Sequence, residues 1–308
     1  FCGNHCRRTV LRFSNGEAWV TNNRCERGAV LGDPGDASVA ARVKARQEER
    51  NKTPNLFRLR EKLLFQEYPL EHTPADRGVK MGIPRVLSFW DTAPFWTTFL
   101  RSLGFQVCLS APSSRAMYES GLSAVTSDTV CFPAKLVHGH LRNLKKRGAD
   151  RIFMPSVTTV PSENTEASSQ SMCAVVKGYP FVIRNSDNPE ERWGIPLDTP
   201  LFHWYRSEDR EKQLTEYMEQ AFGVPAEETR RAIREGDRAM QSFHEQLKLA
   251  GQEVMEQMRR EGRFAVVLAS RPYQNDALVN HDLPEMFVSQ GIPVLTVDSL
   301  PGLEEIDL

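Results

Sequence analysis

The 308-residue chain lacks a charge imbalance, since 39 lysines and arginines stand against 40 acidic residues. That balance removes the electrostatic case for a nucleic-acid backbone as partner. It also lacks any apolar run near the roughly 18 to 20 residues that a membrane span needs, and its start, Phe1-Cys-Gly-Asn-His-Cys6, is no signal peptide. The expectation is a soluble, cytoplasmic protein that binds neither nucleic acid nor membrane. A Gly-x4-Gly-Lys-Ser/Thr phosphate loop is missing, and no phosphate loops of an actin-like ATPase stand out. Any nucleotide is therefore expected on a partner domain. An even disulfide framework is missing too: the six cysteines are unevenly spaced, no secretory segment is seen, and the chain is long enough to bury a core without staples. Reduced thiols are expected. The sequence has no initiator methionine and stops directly after what reads as a strand, so it reads as a fragment of a longer polypeptide.

What is present centres on Ser127-Asp-Thr-Val-Cys-Phe-Pro-Ala-Lys-Leu-Val-His-Gly-His140. Cys131 stands just before a proline-initiated helix that also carries Lys135, His138 and His140. Free N–H groups at such a helix start favour a thiolate. Forty-two residues later Cys173 holds a similar place, ahead of an apolar turn. Two loop cysteines in one α/β domain suggest a shared inorganic ligand. A cysteine near a helix start is also, and more commonly, a small buried hydrophobe. Cys108, inside the apolar run Phe105–Leu109, fits that plain role, whereas polar residues precede Cys131 and Cys173.

Residues 1–28 read as a unit of their own. Leu11, Phe13, Trp19 and Val20 suggest a short hairpin turning at Asn15-Gly16, with Cys2 and Cys6 before it and Cys25 after it. Thiolates at both ends of a hairpin suit a zinc or iron–sulfur knuckle, with His5 or a cysteine upstream as the fourth ligand. Residues 29–78 read as a charged, solvated linker followed by a helix, from Asn55 to Tyr68, that packs on the main domain.

From 79 to 225 strands and helices alternate. Met81–Phe89 and Phe105–Ser110 read as strands around a helix over Ala93–Leu103, and a helix from Pro133 to Arg147 precedes a strand over Arg151–Val157. The class is α/β, a parallel-sheet lobe of Rossmann or flavodoxin-like type, with ligands expected beyond the carboxyl ends of its strands. The apolar cluster around Trp90, Phe95 and Trp96 suits either a core or an interface such as that of a homodimer. Residues 226–262 form a connecting helix. Residues 263–308 then open a second α/β lobe, with strands over Phe264–Ser270 and Pro293–Val297 around a helix over Leu283–Gln290. Between its first strand and helix, a polar loop carries Arg271, Tyr273, Asn280 and His281, which suit a phosphate, a carboxylate or a partner's cluster, or simply brace the loop.

Several of these segments together resemble a family. Met81-Gly-Ile-Pro-Arg-Val-Leu87, Pro94-Phe-Trp96, Thr129-Val-Cys-Phe-Pro-Ala-Lys-Leu-Val-His-Gly-His140, the Arg271-Pro-Tyr273 loop with Asn280-His281, and Asn23-Arg-Cys-Glu-Arg-Gly28 are similar to the large acyl-CoA dehydratase activase-related proteins, relatives of the 2-hydroxyacyl-CoA dehydratase system. The resemblance spans nearly the whole chain. It implies a [4Fe–4S]-type cluster in a dehydratase-like α/β domain, with Cys131 and Cys173 as ligands and a third cysteine in a further lobe. It also implies an activator ATPase of the sugar kinase/Hsp70/actin class, fused or separate, whose ATP hydrolysis drives an electron to very low potential. An acyl-CoA is the implied substrate. Lys135, Arg271, Tyr273 and His281 line the expected site. Gln274 departs from the pattern, which has histidine there. The rival readings are a zinc-stabilised scaffold, and a nucleotide- or CoA-binding transferase that uses the Arg271–His281 loop without a cluster.

Overall fold

A computed structural model describes residues 8–14, 16, 18–21, 31, 37–160 and 171–302. The chain divides into two compact units. The smaller comprises Phe1–Arg60, Leu247–Ser270 and Asn280–Leu308, and the larger comprises Glu61–Gln246 with Arg271–Val279.

The chain opens with the expected hairpin, in which β1 (Thr9–Arg12) and β2 (Ala18–Thr21) run antiparallel with Thr9 opposite Thr21. Gly16 takes a left-handed φ of 85° at the turn, which a residue without Cβ adopts at little cost. The proposed knuckle ligands Cys2, His5, Cys6 and Cys25 lie outside the described residues.

Within the expected solvated linker, Ala37–Lys52 forms a helix, α1. Alanine, arginine, glutamine and glutamate are strong helix formers, so the segment coils even with little to bury. Its end is tied down by Arg50, whose guanidinium lies 2.8 Å from Glu285. Helix α2 (Leu56–Phe65) belongs to the smaller unit up to Arg60 and to the larger from Glu61, where Phe65 meets Trp90 edge-on at 5.1 Å. Within the smaller unit Leu56 packs with Val254, Met258 and Leu295, and Phe57 with Val288 and Val294.

In the larger unit, β3 (Lys80–Ile83) is shorter than expected. Pro84 cannot donate to a ladder, and Leu87 takes a left-handed φ of 48° just before helix α3 (Phe89–Ser102). That helix runs through Pro94 instead of starting beside it. Strand β4 (Gln106–Leu109), helix α4 (Arg115–Gly121) and helix α5 (Phe132–Lys146) follow. The single strand expected over 151–157 is split into β5 (Arg151–Phe153) and β6 (Ser156–Val157) at Pro155. Next come α6 (Ala174–Ser186), α7 (Pro189–Trp193), β7 (Leu197–Asp198), β8 (Leu201–Phe202), α8 (Ser207–Phe222) and α9 (Ala226–Glu261). The long helix α9 belongs to the larger unit up to Gln246 and to the smaller from Leu247.

The main sheet is parallel throughout and ordered β4-β3-β5-β7. Among these four strands the order is second, first, third, fourth, which is the flavodoxin-like doubly wound arrangement. Its core includes Met81, Ile83, Phe99, Val137, Leu141, Ile152 and Phe153, all nearly inaccessible to water. Trp90, Phe95 and Trp96 are buried as well, so that cluster is core and offers no surface for an interface. The smaller unit closes with β9 (Val266–Leu268), α10 (Leu283–Val288) and β10 (Val294–Thr296), the two strands pairing in parallel as a βαβ connection requires.

Candidate thiol site

Cys131 and Cys173 each occupy the N-cap of a helix, Cys131 before α5 and Cys173 before α6. Neither side chain accepts a capping hydrogen bond, and both residues are exposed, whereas Cys108 is buried in β4. Both cysteines are extended-to-helix junctions for the same reason: the preceding loop is polar and the following turn is apolar. The sulfurs are thus accessible beside helix starts, where unpaired N–H groups favour negative charge.

Tyr273 joins them from the segment that returns at Arg271–Val279. Its phenol feels both Cys173 and Cys131 electrostatically. Burial is the main cause of its raised pKa, followed by negative charge on Cys173, with Arg271 opposing them. Tyr179, on α6, is pushed up to about 12 by burial first, then by Asp187 and by Cys131. Both phenols therefore keep their protons at neutral pH.

The histidines of α5 are not at the surface. His138 is wholly buried, with Nδ1 on Asp187 and Nε2 2.8 Å from the Tyr179 hydroxyl. His140 is wholly buried too, its Nδ1 2.7 Å from Ser110 Oγ and its Nε2 2.9 Å from Ser113 Oγ. Burial, reinforced by the charge of Arg85, lowers its pKa to about 3, so it is a neutral imidazole. Lys135 turns its amine onto the Asp128 carbonyl at 2.9 Å, bracing the loop that leads to Cys131.

The Arg271–His281 loop divides between the units. Arg271 and Tyr273 belong to the larger unit, and His281 to the smaller, where it takes a left-handed φ of 56°. Gln274 acts locally, since its carboxamide oxygen accepts the Arg271 N–H at 2.9 Å and closes the turn Pro272–Asn275. Among the described residues no group of three or more histidine, cysteine, aspartate or glutamate side chains is placed to hold a metal ion. Two accessible thiols beside helix starts nonetheless suit a thiophilic iron centre as part of its ligand set.

Sequence reasoning missed Tyr179, Asp187, Ser113 and Asp276. Asp187 lies 49 residues from His138, and Asp276 lies 163 from Ser113. No spacing rule links residues so far apart.

Among the described residues no helix is long and apolar enough to cross a membrane. The family model described as the CoA enzyme activase uncharacterised domain (DUF2229) matches residues 80–300. No curated protein and no solved structure matches the chain.

Proposed function

Since the chain belongs to the CoA enzyme activase uncharacterised-domain family, we propose that it is an iron–sulfur redox module of a 2-hydroxyacyl-CoA dehydratase or activase-type system. The observation that carries this reading is the pair Cys131 and Cys173, two exposed thiols that both cap helices and both act on one tyrosine. Cys131 and Cys173 would hold a [4Fe–4S]-type cluster together with sulfur ligands from elsewhere. Bound there, such a cluster would supply one-electron chemistry at low potential.

The chain's own residues bind and tune. The helix starts favour the thiolate forms, Tyr273 stands within electrostatic reach of both sulfurs as a protonated phenol, and the buried Asp187–His138–Tyr179 row braces the helix that begins after Cys131. Electrons would arrive from an activator ATPase of the sugar kinase/Hsp70/actin class, fused or separate, and an acyl-CoA would be the system's substrate. Cys2, Cys6 and Cys25 would hold a second metal, iron–sulfur or zinc.

The test is anaerobic reconstitution with iron and sulfide, followed by iron and zinc analysis and the visible spectrum of wild type, Cys131→Ala and Cys173→Ala. Bound iron with broad charge-transfer absorption, weakened in both variants, is the expected result. A colourless wild type, or variants with an unchanged spectrum, would reject the central cluster. Zinc without iron would favour the scaffold reading instead.

A further inference from the structure

The two helices that carry Cys131 and Cys173 at their N-caps touch each other within the larger unit. Both bury mostly apolar residues, among them Val137 and Leu141 on α5 and Val176 and Ile183 on α6. Apolar contact is not directional, so two such stripes can slide or roll past each other at little cost. Two polar groups interrupt the stripe of α6. They are Tyr179 and, at the C-cap, Asp187, both buried. Tyr179, Ile183 and Asp187 follow one another at intervals of four, the spacing of a single helix face.

Both polar groups meet the same ring of α5. His138 Nδ1 bonds Asp187 Oδ2, and His138 Nε2 lies 2.8 Å from the Tyr179 hydroxyl. A carboxylate only accepts, so Nδ1 carries the ring hydrogen, and in the neutral ring Nε2 accepts the Tyr179 proton. One turn further along α5, the Arg142 guanidinium stands 4.0 Å from the second Asp187 oxygen. A single imidazole therefore holds α6 at two points about two turns apart. One point of contact would let a helix pivot, whereas two fix its tilt and its rotation. Hydrogen bonds weaken steeply once misaligned, and a buried bond left unmade is costly, so the row resists the sliding that apolar stripes permit.

We propose that His138, Tyr179 and Asp187 are positioning residues that lock α6 against α5 and so fix the spacing between Cys131 and Cys173. His138 lies seven residues beyond Cys131 and Tyr179 six beyond Cys173, which places the lock about 10 Å and about 9 Å down the two helices. A roll or tilt at that depth is carried by each stiff helix to its N-cap. The bond from Ser156 Oγ to the Lys177 carbonyl, at 2.6 Å, joins α6 to β6 and not to α5, so it holds the helix on the sheet without setting that spacing. Two thiols that share one inorganic ligand need their separation set in advance, and groups behind the ligating residues are what set it. The inference rests on Cys131 and Cys173 acting as one site, and it adds the device that keeps them in register.

The test measures the spacing directly, in the full chain without metal. With Cys2→Ser, Cys6→Ser and Cys25→Ser in the parent and Cys108 buried, nitroxide labels go to the exposed Cys131 and Cys173. Dipolar electron paramagnetic resonance then reads the distance between them. The parent should give one narrow distance. Tyr179→Phe, which keeps the ring and loses only the hydroxyl, and Asp187→Ala should each shift or split it by about 2 Å, the size of an ordinary helix displacement. Asp187→Asn keeps an acceptor for Nδ1–H and should retain the parent distance. Met218→Ala opens the core at α8 without touching the row, so it should destabilise the chain and leave the distance unchanged. If Asp187→Ala does not fold, Tyr179→Phe and Asp187→Asn decide. A broad parent distribution, an unchanged distance in Tyr179→Phe, or an equal shift in Asp187→Asn or Met218→Ala overturns the proposal. Failure to bind iron alongside the expected distances would sink the cluster reading alone. An intact cluster with distances that the row variants do not move would sink this inference alone.

Discussion

The Tyr179 hydroxyl lies 2.8 Å from His138 Nε2, deep under the helix start that presents Cys131. The opposite nitrogen of the same ring bonds Asp187, whose second oxygen has the Arg142 guanidinium 4.0 Å away. Aspartate, imidazole and phenol therefore form a buried polar row inside an apolar lobe, and its energetics differ from one member to the next.

Removing the imidazole should be severe. His138→Ala strands the wholly buried Asp187 carboxylate and is expected to cost about 3–5 kcal/mol in denaturant unfolding. Tyr179→Phe removes one hydroxyl and should cost only about 1 kcal/mol. Equal losses in the two variants would show that Asp187 finds another partner.

Helices α4 and α5 touch through two glycines. A Cβ on Gly139 would meet the Met117 carbonyl oxygen at 2.2 Å, and one on Gly121 would meet the Gly139 nitrogen at 2.5 Å. Both obstacles are backbone and cannot swing aside. Gly139→Ala should therefore destabilise the chain by roughly 1–3 kcal/mol or more, as overpacking does, measured by thermal or urea unfolding. A neutral outcome would mean the two helices do not pack this closely.

Stability should depend on His140 as pH falls. Its folded pKa, lowered from 6.5 to about 3, means that between those values the unfolded chain takes a proton that the folded chain refuses. The contribution is complete above pH 6.5 and is lost on acidification. Asp276 and Glu61, both raised chiefly by burial, work in the opposite sense nearer their own titration ranges. Comparing wild type with His140→Asn isolates the histidine: from pH 6.5 to 5 wild type should lose about 2 kcal/mol more than the variant. Parallel stability curves would contradict a buried neutral imidazole.

Thiol accessibility gives a simpler check. In the native chain iodoacetamide should label Cys131 and Cys173 and spare Cys108, which is only 6% exposed. All three should react in denaturant. Rapid native labelling of Cys108 would show that β4 opens readily.

The sequence itself made much of the larger unit legible. Glycine and proline punctuation, together with apolar runs, marked β3, β4 and the helix that follows Cys131, and the N-cap position of that cysteine is written in Cys131-Phe-Pro133. Errors arose where a strong local signal had two meanings. The helix expected from Ala93 begins at Phe89 with Pro94 inside it, and the charge of 37–52 suggested a linker although the same residues are good helix formers.

Local pattern determined the α/β class, the alternation of elements and the two cysteines at helix starts, because periodicity, capping and turn chemistry act over a few residues. Only the tertiary structure decided that His138 and His140 are buried hydrogen-bond partners rather than surface groups. It alone brought Tyr273 to Cys173 and Asp276 to Ser113. Those meetings depend on how the parallel sheet orders its strands and where the chain returns at Arg271. Contacts between residues a hundred or more positions apart are set by packing of the whole lobe, which no short stretch of sequence encodes.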